Sequence, residues 1–498
     1  MNKCSQQYDV IVVGAGFSGI GAAIKLQEAG INNFQVLEKG NEIGGVWRDN
    51  TYPGCACDIP SSLYSYSFAP NPKWSRVFAE QKEIKNYLLD VADQHNVLGS
   101  VKLKHEMLSA AWDNDKLCWV IKTNQGDFTS RFVIFACGPL HQPIMPNISG
   151  IDSFTGSIFH SSRWDHDIDR TNKRVAVIGT GASAIQFVPQ IQPKVKELIV
   201  FQRTAHWVLP KFDHKMPWLV REMFKSLPQI QKIMRGGFYS ALESINGGLR
   251  FPRAMKQFQR LARRNIHRAV KDPTLRKQLT PDYVIGCKRI LQSNDWYPAL
   301  AKSNVKMVFG GATSIDGDTI SGLSDNGQLS KHKVDVIIFG TGFEVSNPPI
   351  AKVIQGKDGR TMAENWAGSP EGYLGTMVDG CPNAFLMFGP NLAVSSSAFI
   401  IIEAQLTYIV DALKKARANN LATIEVNPEK SSIFNDKLQG ALKESVWDVG
   451  GCTSYFIDES GRNSTVWPWT TLALRESMSR FNLHEYILTP FVEINKSN

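Results

Sequence analysis

The 498-residue chain is longer than one ordinary hydrophobic core fills, so two or more domains are expected. Hydrophobic residues make up 43% and charged residues 20%, which is a globular composition and excludes a disordered polymer. The net charge of +9 is local, because residues 211–282 carry 16 Lys and Arg against 5 Asp and Glu and the remainder is close to neutral.

Residues 1–7 run straight into an apolar segment, so no secretory signal is expected. Asp9–Val13 predicts a buried strand, Gly14-Ala15-Gly16-Phe17-Ser18-Gly19 a tight turn, and the pattern through Leu26 a helix. A second strand, Phe34–Leu37, ends at Glu38, which lies 24 residues after Gly14. Arg131–Gly138 is an apolar run closing in small residues, the form of a buried parallel strand. The plan then repeats. Arg174–Ile178 leads into Gly179-Thr180-Gly181-Ala182-Ser183-Ala184, and the strand Leu198–Gln202 ends at Arg203, again 24 residues after its first glycine. Residues 211–285 read as helical, with Met255, Phe258, Leu261 and Ile266 inward and Arg253, Lys256, Arg260, Arg263 and Arg264 outward. Asp335–Gly342 repeats the plan of Arg131–Gly138. Ala398–Leu413 is apolar but interrupted by Glu403, Gln405 and Asp411, so a buried helix is expected in place of a membrane span, which takes about 20 nearly uncharged residues.

Each strand, Gly-rich turn and helix forms a phosphate cradle. The first glycine permits the turn, the second lets a pyrophosphate approach the backbone, and the third position, Gly19 or Ala184, must be small for helix and strand to pack. The helix N-terminus offers free N–H groups and partial positive charge. The residue closing each second strand separates the two sites. An acid such as Glu38 accepts hydrogen bonds from a free ribose hydroxyl and suits FAD, whereas Arg203, with the Thr204 hydroxyl beside it, suits the 2′-phosphate of NADPH. Two cradles with opposite readers imply a flavin reduced by a nicotinamide.

Three further segments narrow the chemistry: Phe154-Thr155-Gly156-Ser157-Ile158-Phe159-His160-Ser161-Ser162-Arg163-Trp164-Asp165, the stretch Gly44-Gly45-Val46-Trp47 through Tyr52-Pro53-Gly54 to Asp58, and Gly286-Cys287-Lys288-Arg289. Together they resemble the Baeyer–Villiger monooxygenases, a family of class B flavoprotein monooxygenases, over nearly the whole chain. The resemblance implies an α/β fold of two Rossmann-like dinucleotide-binding domains, one for FAD (1–142 and 340–498) and one for NADP (143–210 and 286–339), with a helical insertion (211–285) in the latter. It implies an NADPH- and dioxygen-dependent enzyme that inserts oxygen beside a ketone carbonyl through a flavin peroxide anion, giving an ester or lactone. Arg289 is then the fixed cation that stabilises the anion without donating a proton, and Asp58 the carboxylate that holds it. Lys288 joins Arg203 and Thr204 at the 2′-phosphate. The resemblance also assigns cofactor contacts to Ser18, Val46, Trp47, Tyr64 and Met107. Gly380–Asn391 would return beneath the flavin, and Tyr455 would cover the nicotinamide cofactor where relatives usually carry Trp. For His160 and Trp164 a linker role between domains is favoured over direct chemistry.

Two enzyme alternatives stand beside this reading. An N- or S-oxygenating flavin monooxygenase shares both cradles but typically lacks the Trp164-Asp165 ending and the Gly-Cys-Lys-Arg segment. A disulfide reductase would need a Cys-x-x-Cys pair, which the eight scattered cysteines do not provide, so free thiols and a cytoplasmic location are expected. The basic insertion could be a solvated face, an approach for an anionic cofactor, or a weak membrane-surface contact. Nucleic-acid binding is not expected, because aromatics are sparse in its most basic part.

Overall fold

The computed structural model describes residues 7–325, 327–393 and 396–491. Strand β1 (Tyr8–Val13) is buried over its last four residues, and α1 (Phe17–Glu28) follows it directly. Next in the chain come β2 (Phe34–Leu37), the short helix α2 (Val46–Asp49) and α3 (Gln81–Gln94). Then follow β3 (Val101–Lys102), β4 (Met107–Asp113), β5 (Cys118–Thr123) and β6 (Gly126–Phe135). β2 and β6 flank β1 in parallel, with Val12 opposite Val36 and Ile134. Apolar side chains therefore cover both faces of β1, as its unbroken hydrophobic run requires.

The second unit contains β7 (Ser157–His160), β8 (Arg174–Ile178), α4 (Ala184–Ile191) and β9 (Glu197–Phe201). A short parallel pair, β10 (Val208–Leu209) and β11 (Leu291–Gln292), ties the two ends of the insertion together. Inside the insertion lie α5 (Trp218–Ser226), α6 (Pro228–Gly248) and α7 (Pro252–Ala269). The chain resumes as β12 (Val305–Val308), then an antiparallel meander of β13 (Gly310–Asp316), β14 (Thr319–Ser324) and β15 (Leu329–Lys333), and then β16 (Val336–Phe339). The second sheet is parallel throughout, in the order β12-β9-β8-β16-β7.

After β16 the chain returns to the first sheet through β17 (Ile354–Gln355) on β4 and β18 (Ala384–Leu386) on β6. That sheet reads β17-β4-β5-β6-β1-β2-β3, with β18 alongside β6. The interrupted apolar stretch forms the helix Ala398–Ala418, packed on α1 with Phe399, Ile401, Leu406 and Ile409 buried. No helix of the described residues is long and apolar enough to cross a membrane.

Two sequence expectations need correction. Met255 and Ile266 are buried in α7 as expected, but Phe258 and Leu261 are each 37% exposed and Ala262 is buried in their place. The inward stripe therefore follows positions 255, 262 and 266, and a small residue lets α7 sit close to its neighbours. The cysteines are not all free thiols. Cys287 and Cys452, 165 residues apart, form a disulfide. Chain spacing gave no sign of it, because the fold rather than local sequence brings the two loops together.

Candidate active site

At the first cradle Gly14 has φ +105°, and a Cβ there would lie 2.6 Å from the Ala136 carbonyl oxygen. A Cβ on Gly19 would stand 1.8 Å from the Gly14 oxygen, so the third position is held small by backbone contact. Gly16 differs, because its added Cβ would meet only the Gly45 Cα, at 3.7 Å. That open side is where a pyrophosphate can approach the backbone. Ser18 and Gly19 are buried in the first turn of α1. Glu38 is buried at the end of β2 and accepts hydrogen bonds from the N–H groups of Ala15 (2.8 Å) and Gly40 (2.7 Å). Arg48 Nη1 donates to the same carboxylate at 2.7 Å. Arg48 lay within a stretch singled out in the sequence, but only the fold shows that it holds Glu38. Met107 opens β4 two residues beyond His105, whose N–H donates to the Glu38 carbonyl, so it lies close in the chain to the Glu38 end of this cradle.

The second cradle repeats these constraints. Gly179 has φ +106° and would press a Cβ against the Gly340 oxygen at 2.4 Å, while nothing lies within 4 Å of one on Gly181. Thr180, Ala182 and Ser183 share this turn, and Ala184 is fully buried. Arg203 and Thr204 are exposed just past β9. Burial lowers the pKa of Lys288, and the charge of Arg203 lowers it further. Among the described residues neither cation forms an ion pair with a carboxylate. The charge of Asp282 opposes the Lys288 shift only in part, so two like charges converging with no directly paired carboxylate make a site for a multivalent anion such as a phosphate monoester.

Between the cradles lies a cavity of about 1010 Å³ whose lining includes Trp47, Tyr64, Gly181, Arg203, Arg289 and Tyr455. Val46 also lines it, and Trp47 Nε1 donates to the Tyr64 hydroxyl at 3.0 Å. Arg289 approaches Asp58 Oδ2 with Nη2 at 2.6 Å and Nε at 3.1 Å. Their side chains are 44% and 33% exposed, and that open surface faces the cavity. The charge of Asp58, against the cost of burial, raises the pKa of Arg289 above its ordinary value. Burial alone would raise the Asp58 pKa, but Arg289 and Lys211 outweigh it and the carboxyl lies below its usual range. Lys211, which the sequence presented only as the first basic residue of the insertion, also donates from Nζ to the Cys57 carbonyl at 3.1 Å. Burial raises the Tyr455 pKa, with Arg289 opposing it. A smaller pocket of about 100 Å³ adjoins Arg289 and is walled by Leu242, Ile245, Phe258, Trp447 and Phe456.

Tyr455 lines this centre, and the Cys287–Cys452 bond joins its loop to the turn carrying Lys288 and Arg289. His160 and Trp164 do not meet the Arg289 centre. The His160 Nδ1 accepts from the Ser162 N–H at 3.1 Å, and burial, then Arg163, lowers its pKa to about 4, so the ring is neutral near pH 7. Trp164 is buried against Tyr52 of the first unit and Phe187 of α4. Tyr52 also donates to Gln186 Oε1 of α4 at 2.9 Å. This is a packed seam between the units, and Gln186 is a part of it that no motif indicated.

The cradles, the opposed readers and the clear space above Gly16 and Gly181 fit two dinucleotides. Comparison with known proteins agrees. Residues 11–246 match the family described as pyridine nucleotide-disulphide oxidoreductase. A Baeyer-Villiger monooxygenase of Streptomyces coelicolor is 45% identical over 485 residues, covering 97% of this chain and 93% of the relative. One from Pseudomonas aeruginosa is 44% identical over 484 residues, covering 96% and 91%. Among solved structures, an oxidized steroid monooxygenase bound to NADP is similar with TM-score 0.84 and 27% identity, covering 98% of this chain and 100% of that one. A complex of OTEMO with FAD and NADP is similar with TM-score 0.86 and 26% identity over 97% and 100%. Near-complete coverage at that identity joins the site to one lineage: the chain belongs to the Baeyer–Villiger monooxygenases, flavin enzymes that depend on FAD and NADPH.

Proposed function

We propose that this chain converts a ketone to an ester or lactone, consuming one dioxygen, one NADPH and one proton and releasing water and NADP⁺. Bound FAD supplies the dioxygen-activating chemistry, with electrons from NADPH. In this reading Glu38 holds the adenosine ribose of FAD, and Arg203, Thr204 and Lys288 hold the 2′-phosphate of NADPH. The contacts of Val46, Trp47 and Tyr64 lie on the flavin side, and Tyr455 covers the nicotinamide cofactor. Arg289 is the catalytic cation. Asp58 takes its Nε and one Nη2 hydrogen, which orients the fork and leaves other N–H groups for an oxyanion. Because Asp58 strengthens the hold of Arg289 on its protons, the guanidinium can stabilise a neighbouring anion without protonating it.

The observation that carries the reading is the Arg289–Asp58 pair facing the cavity between two cradles of opposite charge preference. N- or S-oxygenation would use the same cradles but gives this pair no evident task. The division into an FAD unit (1–142 and 340–498), an NADP unit (143–210 and 286–339) and an insertion (211–285) is supported by the separate sheets, since β17 and β18 pair with the first and β16 with the second. A cytoplasmic location has the thiols Cys55, Cys57, Cys137 and Cys381 in its favour and the Cys287–Cys452 bond against it. The basic insertion suits a surface contact better than nucleic acid, for want of interleaved aromatics in α7. The test is a ketone panel with NADPH consumption and product mass followed together. Ketone-stimulated consumption with equimolar ester is expected; oxidation of amines or sulfides alone would exclude the ketone reading.

A further inference from the structure

Most large apolar side chains of the insertion's first part face solvent. Phe212 is 75% exposed, Trp218 68%, Leu219 65% and Ile233 75%, and Met223 and Leu227 are exposed with them. Leu219 and Met223 follow at i and i+4, so they share one outer side of α5, away from the buried Phe224, and the exposed Leu227 continues the apolar surface just past the helix end. The helix thus turns an apolar face outward. Scattered exposed leucines need no explanation, but a contiguous set with a tryptophan does.

Charge accompanies this face. Lys215, Arg221, Lys225 and Lys232 lie within the same stretch, against Glu222, which is paired with Lys225 at 2.5 Å, and Asp213, which is paired with Arg76. Farther along the insertion, α7 presents Arg253, Lys256, Arg260, Arg263, Arg264 and Arg268 on its exposed side. Exposed Trp, Phe and Leu beside a surplus of Lys and Arg are complementary to one surface in particular, a bilayer with anionic headgroups: rings and aliphatic chains enter the headgroup boundary while the cations meet phosphate. With no helix among the described residues able to cross, contact would be confined to one leaflet.

We propose that α5 and the start of α6 dock this enzyme on anionic phospholipid surfaces. α6 runs from Ile233 at this surface to Leu242 and Ile245 in the wall of the pocket at Arg289, about 18 Å along the helix axis. A docked molecule would therefore hold that pocket close to apolar compounds dissolved in the lipid. This consequence rests on the ketone reading above, whereas the docking does not.

The experiment is sedimentation of flavin-loaded protein with vesicles at about 150 mM salt, where distant exposed charges are screened. Vesicles of phosphatidylcholine with about 30% phosphatidylglycerol are compared with pure phosphatidylcholine. Partition is expected to be about tenfold or more stronger on the anionic vesicles, and about tenfold weaker for the Trp218→Ser/Leu219→Ser double variant. The Lys215→Gln/Lys232→Gln variant should lose binding to a similar degree, with flavin absorbance and NADPH oxidation unchanged in both. A second readout is quenching of tryptophan fluorescence by brominated acyl chains, which should fall in Trp218→Phe. Absence of binding to anionic vesicles would overturn the proposal. So would wild-type partition by the Trp218→Ser/Leu219→Ser protein, which would reduce the effect to adsorption through α7 charge, or quenching unchanged in Trp218→Phe. A concentration-dependent dimer abolished by the same double variant, without vesicle binding, would reassign the face to a second copy of the chain.

Discussion

Arg289 and Asp58 are 231 residues apart in sequence, yet a two-point hydrogen bond fixes the guanidinium plane at the edge of the cavity. Loss of one preorganised oxyanion donor typically costs about 100- to 1000-fold in rate. Arg289→Ala is therefore expected to lose ester formation by at least that factor while still oxidising NADPH, so that peroxide accumulates in place of product. The ratio of ester formed to NADPH consumed is the measurement, and an unchanged ratio would remove Arg289 from the chemistry. Histidines give a separate test. Burial first, then Arg163, lowers the His160 pKa to about 4, and burial, then Lys288, does the same for His206. An unfolded histidine titrates near 6.5, so between about pH 6.5 and 4 the unfolded chain binds more protons than the folded one. Stability should fall as pH is lowered through that window and stop changing below it, by about 2 kcal/mol per histidine at pH 5. His160→Gln should narrow the difference in Tm between pH 7 and pH 5, and a variant as pH-sensitive as wild type would show that His160 is not a source of it.

At the scale of strand, turn and helix, the two cradles permit an experiment that separates folding from binding. Apart from its chain neighbours, no protein atom lies within 4 Å of a Cβ built on Gly181, so Gly181→Ala should fold and bind flavin normally, with Tm close to wild type. Its methyl would occupy the approach of the nicotinamide pyrophosphate, and the rate of flavin reduction at subsaturating NADPH should fall. Arg203→Ala should weaken NADPH by roughly 10- to 100-fold, the loss of a charge-assisted hydrogen bond, while changing NADH little. Stopped-flow reduction with both nucleotides measures this, and equal losses for NADPH and NADH would place Arg203 away from the 2′-phosphate. These elements were legible in the sequence because their requirements are local. Gly14 and Gly19 answer to backbone atoms a few residues or one strand away, and Glu38 and Arg203 stand at the ends of adjacent strands. Arg48, Lys211 and Gln186 were not legible, because their partners come from loops and from the opposite unit. Leu261 was misplaced for a related reason: periodicity gives the direction of a stripe around α7, but the neighbours decide its width, and the part-exposed Phe258 turns to the pocket at Arg289 in place of the core.

For the whole molecule, the least legible feature is the one that closes the active centre. The Cys287–Cys452 bond joins the turn carrying Lys288 and Arg289 to the loop carrying Tyr455, while Trp164 and Tyr52 pack the two units together at another seam. A cross-link spanning 165 residues restricts the unfolded chain, by at most about 5 kcal/mol in the chain-entropy account. Reduction should accordingly lower the Tm of the wild-type protein and leave a Cys287→Ser/Cys452→Ser variant unchanged. Thiol titration of denatured protein gives the direct count: two fewer thiols before reduction than after are expected in wild type, and equal numbers in the variant. The functional consequence follows from the position of Tyr455. Freed from the Arg289 turn, its loop should cover the nicotinamide cofactor less well, so the variant should release NADP⁺ faster and form less ester per NADPH while its rate of flavin reduction stays near wild type. If equal thiol counts are found in wild type before and after reduction, the two sulfurs are not bonded in solution; if coupling is unchanged in the variant, Tyr455 is held in place by its hydrogen bond to Arg289 and its packing against Phe456 and not by the cross-link.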